Sequence, residues 1–115
     1  MTASRTPFYL DHMREAIDRA IAYTQPFDTA YAFARSPQAL DAVIRTIEIL
    51  GEAGGKIGQS DPEFITAHPE IPWKQMRTMR NKMIHDYFTV DPLVVWQTVK
   101  MDLPPLREAI IALLT

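Results

Sequence analysis

At 115 residues the chain is long enough for one sizeable core, and residues 1–115 are expected to form a single helical domain. It has no cysteine, which excludes disulfides, thiolate zinc sites and a cysteine nucleophile and suits a cytoplasmic protein. A net charge of −2 excludes coating of nucleic acid by bulk electrostatics, so any nucleic acid would be met by a local patch. The stretch Met1 to Arg5 has no apolar signal core behind it, and no apolar run approaches the ~20 residues that span a bilayer, so no membrane association is expected.

The first predicted helix runs from about Pro7 to Thr24. Leu10, Met13, Ile17, Ala20 and Ile21 recur at spacings of three and four, which marks one buried face, and Pro7 fits the first turn. Gln25-Pro26 ends it, and Asp28 is placed to cap a short helical piece carrying Tyr31 and Phe33. Ser36-Pro37 starts a second long helix with Ser as N-cap, along which Leu40, Val43, Ile44, Ile47, Leu50 and Ile57 keep the helical period. All four glycines, Gly51, Gly54, Gly55 and Gly58, crowd its end. Packing is expected at Gly51 and termination near Gly58. Glu48 and Glu52 share a face; a solvated face paired with Arg45 is a simpler reading than an acid/base or metal pair.

His12 and His68 have no second histidine at metal-ligand spacing and read as ordinary polar residues, so no metal is expected. Pro72 opens a third helix with Trp73, Met76, Met79 and Met83 available for packing. Asp91-Pro92 starts a fourth with Leu93, Trp96, Val99 and Leu103 inward; Pro104-Pro105 is expected to break it before a last short helix from Leu106 to Leu114. No strand-like alternation occurs. The predicted fold is all-α: an up-and-down bundle of four long helices plus short ones.

The chemistry concentrates between Ile71 and His85, where Lys74, Arg77, Arg80 and Lys82 stand without a single acid. At about 100° per residue, Lys74, Arg77, Asn81 and His85 fall in one narrow sector, a polar cationic stripe. Arg80 lies about 140° from His85, so the two converge only through a distorted helix end, long side chains reaching round, or a second subunit. Arginine matches phosphate oxygens with its fork, imidazole moves protons near neutral pH, and RNA carries its own nucleophile in the 2′-OH. Set against this, an isolated Arg-x4-His pattern is common. His85 equally suits a helix C-terminus, and Tyr87 and Phe88 equally suit a core.

The run Ile71-Pro72-Trp73 followed by Arg80-Asn81-x-x-x-His85-x-Tyr87-Phe88-x-Val90 resembles the HepT-like branch of the HEPN-domain proteins. Flanking segments agree in order: Tyr9 to Met13 with Ala16-Ile17, Ala42 to Arg45 with Glu48 to Ala53, Trp96, and Asp102 to Leu106. The resemblance implies a dimerising HEPN-like bundle whose motif helices share a cleft. It implies a metal-independent endoribonuclease, the toxin of a prokaryotic toxin–antitoxin pair. The antitoxin would be a minimal nucleotidyltransferase that silences it by transferring AMP to a tyrosine. It makes Arg80 and His85 the catalytic pair, Asn81 a supporting polar group and Tyr87 the AMP acceptor, with no cofactor; Lys74 and Arg77 are expected to hold flanking RNA phosphates. The competing expectation is a non-catalytic helical partner of a nucleotidyltransferase, because fold alone does not give function.

Overall fold

The computed structural model describes residues 4–115; Met1 to Ala3, part of the stretch read above as lacking a signal core, lie outside the described residues. All regular structure among the described residues is helical, with no strand: α1 (Thr6–Thr24), α2 (Ala30–Ala34), α3 (Pro37–Ser60), α4 (Pro62–Ala67), α5 (Trp73–His85), a 3₁₀ turn (Tyr87–Thr89), α6 (Pro92–Gln97), a π-helical segment (Thr98–Asp102) and α7 (Leu103–Leu114). None of these helices is long and apolar enough to cross a membrane.

Helix α3 is the central element. Its apolar stripe buries Val43, Ile44, Ile47, Leu50 and Ile57 against α1 on one side and α5 on the other. Each such side chain contributes about 1.5–3 kcal/mol by leaving water. The facing stripe of α1 is the one its periodicity predicts, with Leu10, Met13, Ile17 and Ala20 buried and Ala16 added. Thr6 at the start of α1 donates its hydroxyl to Asp61, just past the end of α3, at 2.9 Å. The two helices therefore run antiparallel. At the other end of α1, Asp18 pairs with Arg107 of α7 at 2.5 Å and with Arg14 at 2.9 Å.

The start signals act locally and hold. Ser36 caps α3 by accepting from the Ala39 N–H, and Asp91 caps α6 by accepting from the Leu93 N–H. The short helix α2 is capped by Thr29 rather than Asp28: the Thr29 hydroxyl accepts from the Ala32 N–H, and the helix starts one residue later than expected. Arg45 meets Glu48 at 3.3 Å, so this carboxylate belongs to a surface pair.

Pro104-Pro105 does not break the last helix. The backbone stays right-handed helical through Gln97, Thr98, Asp102 and Leu103, and the Leu103 N–H reaches back five residues to the Thr98 carbonyl. A π-helical turn is wider than an α turn. It accommodates two residues that lack N–H groups and whose rings would clash with carbonyls four residues earlier. The inward face is correspondingly Val95, Val99, Leu103, Leu106 and Ile110. Trp96 is half-buried with its ring 5.5 Å from Phe33 of α2, and Leu93 in the first turn is exposed rather than inward.

The contact between α3 and α5 is set by glycine. A Cβ at Gly51 would lie 2.5 Å from Arg80 Cβ and 2.9 Å from the Met76 carbonyl oxygen; one at Gly54 would lie 3.0 Å from Met76 Cε. A Cβ at Gly55 meets nothing within 4 Å. As numbers fall along α3 from Gly54 to Gly51, their partners rise along α5 from Trp73 and Met76 to Arg80, so this pair is antiparallel too. The helix runs past Gly58 to Ser60, two residues beyond the expected end.

These contacts separate two glycines of one helix. Gly51→Ala is expected to destabilise the protein by about 1–3 kcal/mol through overpacking against backbone. Gly55→Ala is expected to stabilise it by about 0.5–1 kcal/mol, the ordinary helix-propensity gain. Urea denaturation of the two variants checks both signs.

Candidate ribonuclease site

Helix α5 is anchored at its start by Trp73, whose indole N–H donates to the His68 carbonyl at 2.9 Å, and along its length by Met76 and Met83, which are buried. This fixes which sides face solvent. Lys74, Arg77, Asn81 and His85 are all exposed, so the predicted stripe is a solvent face from one end of the helix to the other. His68, by contrast, sits against Glu70 at 2.9 Å, and no cluster of three or more His, Asp or Glu side chains among the described residues is arranged to hold a metal ion.

Arg80 combines a packed stem with a polar head. Its stem lies in the space that Gly51 leaves open, and its guanidinium donates to Asn81 Oδ1 through Nε at 3.3 Å and Nη2 at 2.9 Å. Asn81 is therefore the hydrogen-bond partner of Arg80. Lys74, Arg77 and Arg80 together border a groove of about 650 Å³ lined on its other sides by the four glycines and Gln59 of α3 and by Pro62, Ile65 and Thr66; no carboxylate lines it. The glycines present no side chains to this groove, and Lys74 and Arg77 on its rim are exposed.

His85 is the last residue of α5, and the helix stays regular up to it, with the Asp86 N–H bonded to the Lys82 carbonyl. Helix distortion therefore does not bring His85 to Arg80. On a regular helix the two remain about 140° apart, which leaves side-chain reach or a second subunit to unite them.

Tyr87 opens the 3₁₀ turn after α5 and is half-exposed, and Phe88 beside it is 98% exposed, so neither is a core aromatic. The Tyr87 hydroxyl donates to Asp41 Oδ1 at 2.5 Å, across 46 residues of sequence. That hydrogen bond, followed by desolvation and the charge of Asp41, raises the Tyr87 pKa above the ordinary phenol value. The phenol is thus held neutral with its proton aimed at a carboxylate. Asp41 was missed from sequence. It stands on the first turns of α3, and only the antiparallel register of α3 and α5 brings it to the turn after His85.

The whole arrangement can bind an anionic polymer along one face, polarise a phosphate with a guanidinium, move a proton with an imidazole, and present a phenol for modification. Comparison with known proteins gives these groups a family. A family model described as "Ribonuclease HepT-like" matches residues 13–113. A "Probable ribonuclease HepT" of Thermococcus cleftensis is 42% identical over 99 residues, covering 86% of each chain. A "Putative RNase" of Caldanaerobacter subterraneus is 30% identical over 102 residues, covering 89% of this chain and 88% of its own. A "Gamma-glutamylcyclotransferase and putative RNase" of Methanocaldococcus jannaschii is 41% identical over 106 residues, which span 92% of this chain but 46% of that larger protein. No solved structure matches significantly. With a model match over nearly its full length and relatives of this identity, the chain belongs to the ribonuclease HepT-like family.

Proposed function

We propose that this chain is a metal-independent endoribonuclease, acting as one HEPN-like domain in a homodimer, and that it is the toxin of a pair whose antitoxin is a minimal nucleotidyltransferase. The observation that carries the reading is the acid-free, solvent-facing side of α5, from Lys74 to His85, in a chain of a ribonuclease family.

The proposed reaction uses Arg80 and two copies of His85, one from each subunit. The 2′-oxygen of one ribose attacks the adjacent phosphorus, the bond from phosphorus to the 5′-oxygen breaks, and a 2′,3′-cyclic phosphate remains. His85 takes the 2′-OH proton, a second imidazole protonates the leaving 5′-oxygen, and Arg80 stabilises the extra negative charge on the phosphoryl oxygens. One chain offers one histidine at this place, and a two-fold pair offers two. The exposed apolar side chains Ile84 and Phe88, immediately beside His85, support a second copy packing there. Asn81 holds the Arg80 fork in plane, and Lys74 and Arg77 hold flanking phosphates. AMP on Tyr87, two residues past His85, would place a bulky anion where RNA phosphates must lie.

RNA cleavage in EDTA tests the core of the reading. The wild type is expected to leave cyclic phosphate ends, and His85→Ala, matched for folding by circular dichroism, is expected to cut about 10²–10⁴-fold more slowly. Arg80→Lys keeps a stem against Gly51 and a charge but loses the fork, and is expected to lose about 10²-fold or more. Equal cutting by wild type and His85→Ala overturns the assignment. A silent wild type whose intact mass shows no AMP turns the reading to a non-catalytic partner of the nucleotidyltransferase.

The phosphate-binding role has its own readout. Lys74→Ala and Arg77→Ala are expected to weaken RNA binding and each to lower the slope of log affinity against log salt by about 0.7, the value for one phosphate contact to a single strand. An unchanged slope removes that residue from the interface.

A further inference from the structure

We propose that Asp41 is the general base for modification of Tyr87, accepting the phenol proton as the tyrosine oxygen attacks the α-phosphorus of a nucleoside triphosphate. The proposal rests on the reading of Tyr87 as the AMP acceptor and adds the group that makes it reactive.

Three observations carry it. The Tyr87 hydroxyl donates to Asp41 Oδ1 at 2.5 Å, so the proton that must leave already points at its acceptor. Tyr87 is 45% exposed and Asp41 is exposed, so an incoming nucleotide reaches the oxygen while the hydrogen bond is in place. Asp41 comes from α3, whereas the proposed cleavage residues all lie on α5, so the carboxylate reaches Tyr87 from a different helix. His85 and Asp86 are the charged or titratable chain neighbours of Tyr87. Asp41 is the one charged side chain that shifts its titration, and it does so upward. A phenol kept neutral is a poor nucleophile until its proton is removed. A carboxylate already bonded to it removes that proton as the new bond forms, the role an aspartate plays toward the substrate hydroxyl in protein kinases.

The step balances. A bond forms between Tyr87 Oη and the α-phosphorus, the bond from that phosphorus to the pyrophosphate oxygen breaks, pyrophosphate leaves with its electron pair, and the phenol proton passes to Asp41. Asp41 then releases that proton to solvent, and the product, with no proton left to donate, carries a phosphodiester anion beside the restored Asp41 carboxylate. The bond that held Tyr87 to α3 is replaced by repulsion, and the modified side chain swings away from α3.

The test uses the unmodified chain, the minimal nucleotidyltransferase antitoxin and magnesium-ATP labelled at the α-phosphate. Wild type, Asp41→Asn and Tyr87→Phe are compared from pH 7 to above pH 9. Tyr87→Phe is expected to take no label. Asp41→Asn keeps an oxygen that accepts from the phenol but has no basic group. It is expected to be labelled about 10²-fold more slowly at neutral pH and to regain rate relative to wild type as solvent takes over the proton. The ratio of the two rates cancels the antitoxin's own pH dependence. A purely structural tie would give no such pH recovery. In parallel, the Tyr87 phenol, followed by NMR with labelled tyrosine, is expected to titrate above the ordinary value of about 10 in wild type and to return toward it in Asp41→Asn. Equal labelling of wild type and Asp41→Asn, or a slow variant that stays slow at high pH, overturns the role of Asp41 and leaves Tyr87 as acceptor. An unlabelled wild type, or a labelled Tyr87→Phe, overturns the acceptor reading and this proposal with it.

Discussion

The close approach of α3 and α5 at Gly51 decides which groups α5 presents to solvent. Arg80 Cβ and the Met76 carbonyl occupy the place a side chain at 51 would need. That seat fixes α5 on α3 in rotation and in register at once. In rotation, it turns Met76 and Met83 inward and leaves Lys74, Arg77, Asn81 and His85 in solvent. In register, it carries the end of α5 to the first turns of α3, which is why Tyr87 finds Asp41. A helix that slid by one turn, about 5.4 Å, would keep its apolar stripe approximately buried but would lose both the Arg80 seat and the Tyr87 contact.

The parts of the fold that local chemistry determines were legible in the residues. Ser36 and Asp91 act as caps because a cap needs only a side-chain oxygen and two or three N–H groups nearby in sequence. The apolar stripes of α1 and α3 follow from the 3.6-residue period. The errors arise where two local rules compete or where a non-local effect wins. Thr29 and Asp28 are both good caps, and nothing local ranks them. Two consecutive prolines ordinarily end a helix, but here packing of Val99, Leu103 and Leu106 holds the chain helical and the backbone widens by one residue instead. The cost of the missing hydrogen bonds is confined to one turn, while a break would have withdrawn a whole apolar face from the core.

The site divides in the same way. The stripe of Lys74, Arg77, Asn81 and His85 can be found on one helix by spacing alone, with Arg80 off it, and the structure places the stripe in solvent as that spacing requires. What spacing cannot reveal is which neighbour each group chooses. Asn81 turned to Arg80 rather than to His85, and the carboxylate beside Tyr87 came from a helix 46 residues away. Helix periodicity orders residues along one element, whereas partners across elements depend on the register that Gly51 sets.

That register also explains why a reading built on one chain is incomplete. A regular α-helix holds positions 80 and 85 about 140° apart, and α5 is helical to its last residue. Bending it to bring them together would pull Arg80 off Gly51 and expose Met76 and Met83, sacrificing packing worth about 1.5–3 kcal/mol for each buried side chain. In the proposed homodimer, a two-fold axis near the end of α5 would remove the conflict without moving a residue: each phosphate would meet the arginine of one helix and the histidine of the other. The same axis would cover Phe88, which is 98% exposed where a lone chain has no reason to present a phenylalanine. An AMP group on Tyr87 would then sit at the seam between two subunits, where one modification disturbs both halves of a shared cleft.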